Sequence, residues 1–182
     1  MTTATKSLTG SYTADPDHSS AQAGLRHMGV GSFRTTFAEL QAQLTTDGAG
    51  PALEGSASVA SISITNPPEF RAHVVDSPDF FDAASHPEIG FRTSRLVLAA
   101  DGTVEFDGEL RIKGIAKAVA GRGTWQGPLE DVYGGERLAL DLEAAIDRRE
   151  WSMNYQAELP SGGDVLGWEV AVEAHLELVK DG

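Results

Sequence analysis

The side chains able to do acid–base or metal chemistry are scattered along the chain. The five histidines are His18, His27, His73, His86 and His175, and no two lie closer than nine positions. Metal sites on strands draw on His-x-His pairs on one face, or on tight clusters with carboxylates. That spacing does not occur, so no metal centre is expected. Asp17-His18-Ser19 contains the residue types of a hydrolytic triad. Adjacent residues cannot form one, because the base must bond nucleophile and orienting acid at once in space. There is no Gly-x-Ser-x-Gly elbow and no phosphate-cradling glycine motif. Gly29-Val30-Gly31 precedes no helical pattern and reads as a strand bend. The chain has no cysteine, which excludes disulfides, thiolate metal sites and cysteine nucleophiles. The expectation is a protein that is not an enzyme and requires no cofactor.

Lys and Arg number 14 against 27 Asp and Glu, a formal charge of −13. Such a surface repels phosphate backbones, which argues against a nucleic-acid partner. It argues equally against docking on anionic membranes. No apolar run is long enough to span a bilayer, so no stable membrane insertion is expected. The N-terminus lacks the apolar core of a secretory signal, and the expected location is the cytoplasm.

The elements that must position any site have a period of two. In the C-terminal stretch, Leu166, Trp168, Val170, Val172, Ala174, Leu176 and Leu178 alternate with residues that include Glu169, Glu173, His175 and Glu177. Successive side chains on a strand point to opposite faces, so this is a long strand with one dry face. The same phase puts Leu138, Leu140, Leu142, Ala144 and Ile146 on one face, and Val104, Phe106, Leu110 and Ile112 on another. His175 falls on a glutamate face and is expected to be solvated. Asp101-Gly102 between two alternating runs predicts a hairpin. Ser77-Pro78-Asp79-Phe80-Phe81-Asp82 carries an N-cap serine and an N1 proline, which predicts one or two helical turns near residues 78–84.

Long antiparallel strands that are apolar on one face leave a sandwich or a closed barrel, and a barrel removes exposed edges. The expected fold is all-β: one domain over residues 10–180, after a flexible N-terminus over 1–9, forming an extended antiparallel barrel of about eight strands with one short helix. Its lining is expected to include Phe106, Leu138, Leu140, Leu142, Trp168, Val170 and Val172. Phe80 and Phe81 are adjacent, so either one caps the barrel while the other lines its mouth, or both plug one end. Periodicity alone leaves open whether side chains or a guest fill the interior.

Four stretches resemble the YceI-like family of polyisoprenoid-binding, lipocalin-like proteins. The opening Tyr12, Asp15, His18, Ser19, followed by His27, Met28, Gly29, Arg34 and Phe37, is similar to the family's start. Phe80, Phe81, Asp82, Pro87, Ile89 and Phe91 resemble its middle segment. Gly108 to Val119 is similar to its Gly-x-Leu-Thr-Ile-x-Gly-Val-Thr run, with Arg111 and Ala116 at the threonine positions. Asp147 to Ser152 resembles its Asn-Arg-x-Asp-Phe-Gly, with Trp151 at the phenylalanine. The resemblance implies a lipocalin-type barrel with an elongated pocket for a long-chain apolar ligand, such as a quinone or polyprenyl phosphate. It implies ligand contacts from Phe37, Phe80, Phe81, Phe91 and Trp151, and a polar mouth holding His18, His27 and Arg34. A bound isoprenoid-type lipid is expected as cargo, and pairing into a homodimer is left open. The alternatives are a side-chain-filled barrel serving as a stress-related interaction module, and a barrel enzyme acting on a small apolar substrate.

Overall fold

The computed structural model describes residues 8–48 and 50–182. Most of the expected flexible tail, residues 1–7, therefore lies outside the described residues. Ten strands form one antiparallel sheet: β1 (Ser11–Ala14), β2 (Ser20–His27), β3 (Gly31–Phe37), β4 (Leu40–Thr45), β5 (Ala52–Ser58), β6 (Glu88–Leu98), β7 (Thr103–Ile112), β8 (Ile115–Glu130), β9 (Glu136–Asp147) and β10 (Leu166–Lys180).

The sheet closes on itself because β10 pairs with β9 on one edge and with both β1 and β2 on the other. β1 takes the C-terminal end of β10, and β2 takes its middle and start. β4 then pairs with β1, and β3 with β2. Thus β1 and β2 act as one broken strand, and β3 and β4 as another. The ten segments make an eight-strand antiparallel barrel.

Turn chemistry fixes the hairpins. Between β6 and β7, Gly102 adopts φ +89°, which favours glycine. There Asp101 Oδ1 accepts from the Thr103 backbone N–H at 3.0 Å and from its hydroxyl at 2.7 Å.

The single α-helix among the described residues, α1, spans Pro68–Asp76 and so lies ahead of the expected 78–84 segment. The signals read at Ser77-Pro78 also occur at Pro68 and Glu69, a proline at the helix start and an acid in the first turn. Ser77 instead takes an extended conformation and ends α1. Beyond it the chain makes successive turns, and Asp82 at φ +50° prevents a continuous helix.

The core has three parts. Tyr12, Leu44, Leu53, Val104, Trp125, Leu138, Leu140 and Leu178 pack one end solid. Phe37, Val59, Ile62, Val74, Val75 and Phe80 join α1 and the turn segment to the other end. Ile112, Ile146, Trp151, Met153 and Val170 form a third cluster on the β9–β10 side.

Candidate functional site

The barrel is solid at one end and hollow above it, and side-chain size along each strand sets the boundary. Across β9 and β10, Leu138 faces Leu178 and Leu140 faces Leu176; then Leu142 faces Ala174 and Ala144 faces Val172. Across β4 and β5, Leu44 faces Leu53; then Ala42 faces Gly55 and Leu40 faces Ala57. On both sides paired leucines give way to alanine and glycine. An inward alanine fills less space than leucine, so the middle layers cannot close.

The result is a cavity of about 190 Å³ with almost wholly apolar walls. Phe37, Phe81, Phe91, Phe106, Leu142, Val170 and Val172 line it, with Ala23, Ala42, Ala57, Ala144, Ala174 and Met153. Phe37 and Phe81 meet edge to face at 6.0 Å between ring centroids. Phe91 and Phe106 do the same at 5.6 Å. Edge-to-face geometry lets the positive ring edge meet the negative face. Glycine makes room for the second pair: a Cβ on Gly121 would stand 2.4 Å from the Phe106 ring, and one on Gly108 2.9 Å from Phe91.

The remaining expected site residues lie elsewhere. Leu138 and Leu140 point inward but are sealed in the solid end, 2% and 0% exposed. Trp151 is buried in the third cluster, and its indole N–H donates to the Leu110 carbonyl at 3.2 Å. Phe80 packs under α1, 5.3 Å from His73 and 5.0 Å from Tyr155 between ring centroids. The aromatic pair is thus divided: Phe81 reaches the cavity while Phe80 seals the helix over it.

Trp168 does not point into the interior. Its ring stacks on Arg148 at 4.2 Å and Arg149 at 4.9 Å, and its indole N–H donates to Asp164 at 2.7 Å. The β2–β10 register slips between Leu166 and Val170. That slip breaks the period of two, so Trp168 loses the phase that Val170, Val172 and Leu176 keep. Beneath the ring, Arg148 is 1% exposed and donates to the carbonyls of Gly167 and Met153.

The polar residues expected at a mouth are not assembled there. Arg34 is exposed on the outer face of β3, and His27 ends β2 at the β2–β3 turn. His18 lies in the β1–β2 connection, 3.1 Å from Asp15. That pair belongs to an ionic cluster in which Arg137 donates to Asp15 and Asp131 at 2.8 Å and to Glu177 at 2.6 Å. The Arg137 guanidinium, and then His18, hold the Asp15 carboxyl at about 2, and Asp15 in turn raises His18 above its ordinary value. Ligand atoms of Asp15, His18 and Glu177 come within 4.8 Å of one another. A cation there would compete with the guanidinium that already joins the two acids. His175 is exposed and its Nδ1 is 2.6 Å from Asp141.

Sequence reasoning put Ala144 and Ala174 on dry faces but did not read the small inward residues as the boundary of a hollow. Ala42, Gly55, Ala57, Ala144 and Ala174 all share the inward phase of large neighbours. A count of inward side-chain volume along each strand, beyond polarity, carries that signal.

Comparison with known proteins bears on this arrangement. A family profile described as the YceI-like domain matches residues 12–178. A UPF0312 protein of Pseudomonas putida (strain W619) is 23% identical over 156 residues, covering 84% of this chain and 81% of its own. The crystal structure of Burkholderia cenocepacia BcnA superposes with a TM-score of 0.72 at 22% identity, covering 90% of this chain and 98% of that one. A polyisoprenoid binding domain from Saccharophagus degradans, implicated in plant cell wall breakdown, superposes with a TM-score of 0.70 at 16% identity, covering 93% and 98%. At these identities the solved structures establish the shared fold. With the profile match running from β1 to β10, the chain belongs to the YceI-like family.

Proposed function

We propose that the protein binds an apolar, isoprenoid-like ligand in the barrel cavity, as a carrier or sequestering protein without catalysis. The observation that carries this reading is the apolar hollow bounded by Ala42, Gly55, Ala57, Ala144 and Ala174 above a solid leucine floor. Removing methylene groups from water releases roughly 0.8 kcal/mol each, so a branched hydrocarbon gains from entering such a space. The likeness of fold to a polyisoprenoid binding domain supports the same chemistry.

Size limits the guest. Ligand pockets commonly enclose about 300–1,000 Å³, whereas an apolar cavity of about 150 Å³ suffices for benzene. At about 190 Å³ this cavity suits one or two prenyl units or the end of a longer tail. A full polyprenyl chain is larger than this space. The groups with displaced acidity, among them Asp15, His18, Asp131, Arg137 and Asp147, do not line it, which favours binding over acid–base catalysis. The lipid is then cargo and no cofactor is called for.

Titration with the ten-carbon hydrocarbon myrcene, followed by native mass spectrometry and calorimetry, tests this. Saturable one-to-one uptake that is lost in Ala144→Trp is the expected result. Uptake unchanged in that variant would show that the guest sits elsewhere.

A further inference from the structure

The cavity has a neighbour on the outside of the barrel. An open concavity of about 790 Å³ lies over β4, β5, β6 and β7, flanked by Thr13, Ala14 and Pro16. Leu40, Ala42, Glu54, Gly55, Ser56, Gly90 and Phe91 line both spaces. The partition between them is one strand layer thick and poor in side-chain bulk.

The partition is also incomplete. β1 pairs with β4 only through Ser11, Tyr12 and Thr13, opposite Thr45, Leu44 and Gln43. β2 meets β3 only from Ala21 opposite Phe37 onward. Among the described residues, no ladder pair joins residues 14–20 to residues 38–42. Leu40 and Ala42, at the edge of this gap, are paired on one side only, with β5. The gap borders the shared wall at Leu40 and Ala42, and Ala14 and Pro16 flank the outer space beside it.

The two spaces differ in chemistry. The inner walls are almost wholly apolar, so a polar head group would lose its hydrogen bonds on entering. The outer concavity offers Thr13, Gln41, Gln43 and Ser56 as uncharged hydrogen-bonding side chains. Its two cations are already engaged: Arg92 and Arg111 both sit on Glu109, at 3.2 and 3.3 Å. Glu54 adds a second carboxylate to the same lining. An anionic head would have to break those pairs and approach a chain of formal charge −13.

We infer that the outer concavity holds the uncharged, hydrogen-bonding head of an amphiphile, a hydroxyl or carbonyl, whose apolar end passes through the gap between residues 14–20 and 38–42 into the cavity. This rests on the cavity being an apolar-ligand site. Gln41 and Gln43 line the outer space alone and place the head.

The test compares geraniol, a ten-carbon alcohol, with myrcene, its counterpart without a head group, and with geranyl phosphate. Gln41→Trp crowds the concavity from an exposed position, and Gln43→Leu removes a hydrogen-bonding group at nearly constant size. Either variant should weaken geraniol by about tenfold while leaving myrcene within about twofold, with melting unchanged. The wild-type protein should bind geranyl phosphate no tighter than geraniol. If myrcene binds and geraniol is unaffected in both variants, the head lies elsewhere and only the cavity reading survives. Geranyl phosphate binding about tenfold tighter than geraniol would overturn the uncharged head. If wild-type protein takes up neither geraniol nor myrcene, the cavity reading itself fails and the inference falls with it.

Discussion

Leu142 on β9 faces Ala174 on β10, and this pair marks the level at which the barrel changes from solid to hollow. Below it, leucine meets leucine across the strands. Above it, Ala144 faces Val172. The same change occurs across β4 and β5 between Leu44–Leu53 and Ala42–Gly55. Two separate pairs of strands thus agree on one floor.

Filling the hollow should abolish binding with little loss of fold. Ala174→Leu adds bulk at the floor of the cavity, where a void already exists to receive it. Overpacking of a dense core costs about 1–3 kcal/mol, and the void should keep this variant at or below the low end. The expected outcome is a melting temperature near wild type together with loss of myrcene uptake. Calorimetry and a ligand titration on the same sample check it.

Hollowing the solid end should do the reverse. Leu140 is fully buried among Leu44, Trp125 and Leu178. Leu140→Ala should cost about 2–5 kcal/mol, the usual range for a buried leucine. Myrcene affinity of the folded protein should stay within about twofold, because Leu140 does not line the cavity. Denaturant melts and titration at low temperature separate the two effects.

Trp168 should matter to stability and not to uptake. Its ring covers Arg148 and Arg149 outside the cavity. Trp168→Ala should cost on the order of 1–2 kcal/mol as the cation–π contacts are lost. Ligand affinity should be unchanged within error. A lost affinity at preserved stability would place Trp168 at the site after all.

The Arg137 cluster should give the protein an acid-sensitive and a mildly alkaline-sensitive component of stability. Asp15 is held at about 2 against an ordinary 3.8, first by the hydrogen bond from Arg137. An acid with a depressed value stabilises the fold only while ionised. That contribution is complete above about 3.8 and is lost as pH falls toward 2. His18 is raised by Asp15 above its ordinary 6.5, so its contribution is present below 6.5 and fades as pH rises through the folded value. Arg137→Met should flatten the acid limb of a melting-temperature profile, since Asp15 and Asp131 both lose their lowering partner. An acid limb identical to wild type would remove Arg137 from the account.

The strands that read most clearly are those with one dry face. β9 and β10 follow the period of two from Leu138 to Ile146 and from Val170 to Leu178. What failed was local. The register slip before Val170 turned Trp168 outward, and no residue pattern in the sequence announces it. The turn after Ser77 carried helix-start signals that a left-handed Asp82 overrides. Leu138 and Leu140 were rightly placed inward, but polarity alone does not distinguish a packed layer from a hollow one. The small residues opposite them do, and they can be read only once strands are paired. His18, His27 and Arg34 were grouped by the resemblance, whereas the broken β1–β2 and β3–β4 strands set them on separate surfaces.

The most direct measurement is an isotope-filtered nuclear Overhauser experiment on methyl-labelled protein saturated with myrcene. Contacts from the ligand to Ala144, Val172 and Ala174, with none to Leu138, Leu140 or Leu178, are the expected result. Contacts confined to exposed residues such as Val132 and Leu129, or no contacts at saturating ligand, would contradict it.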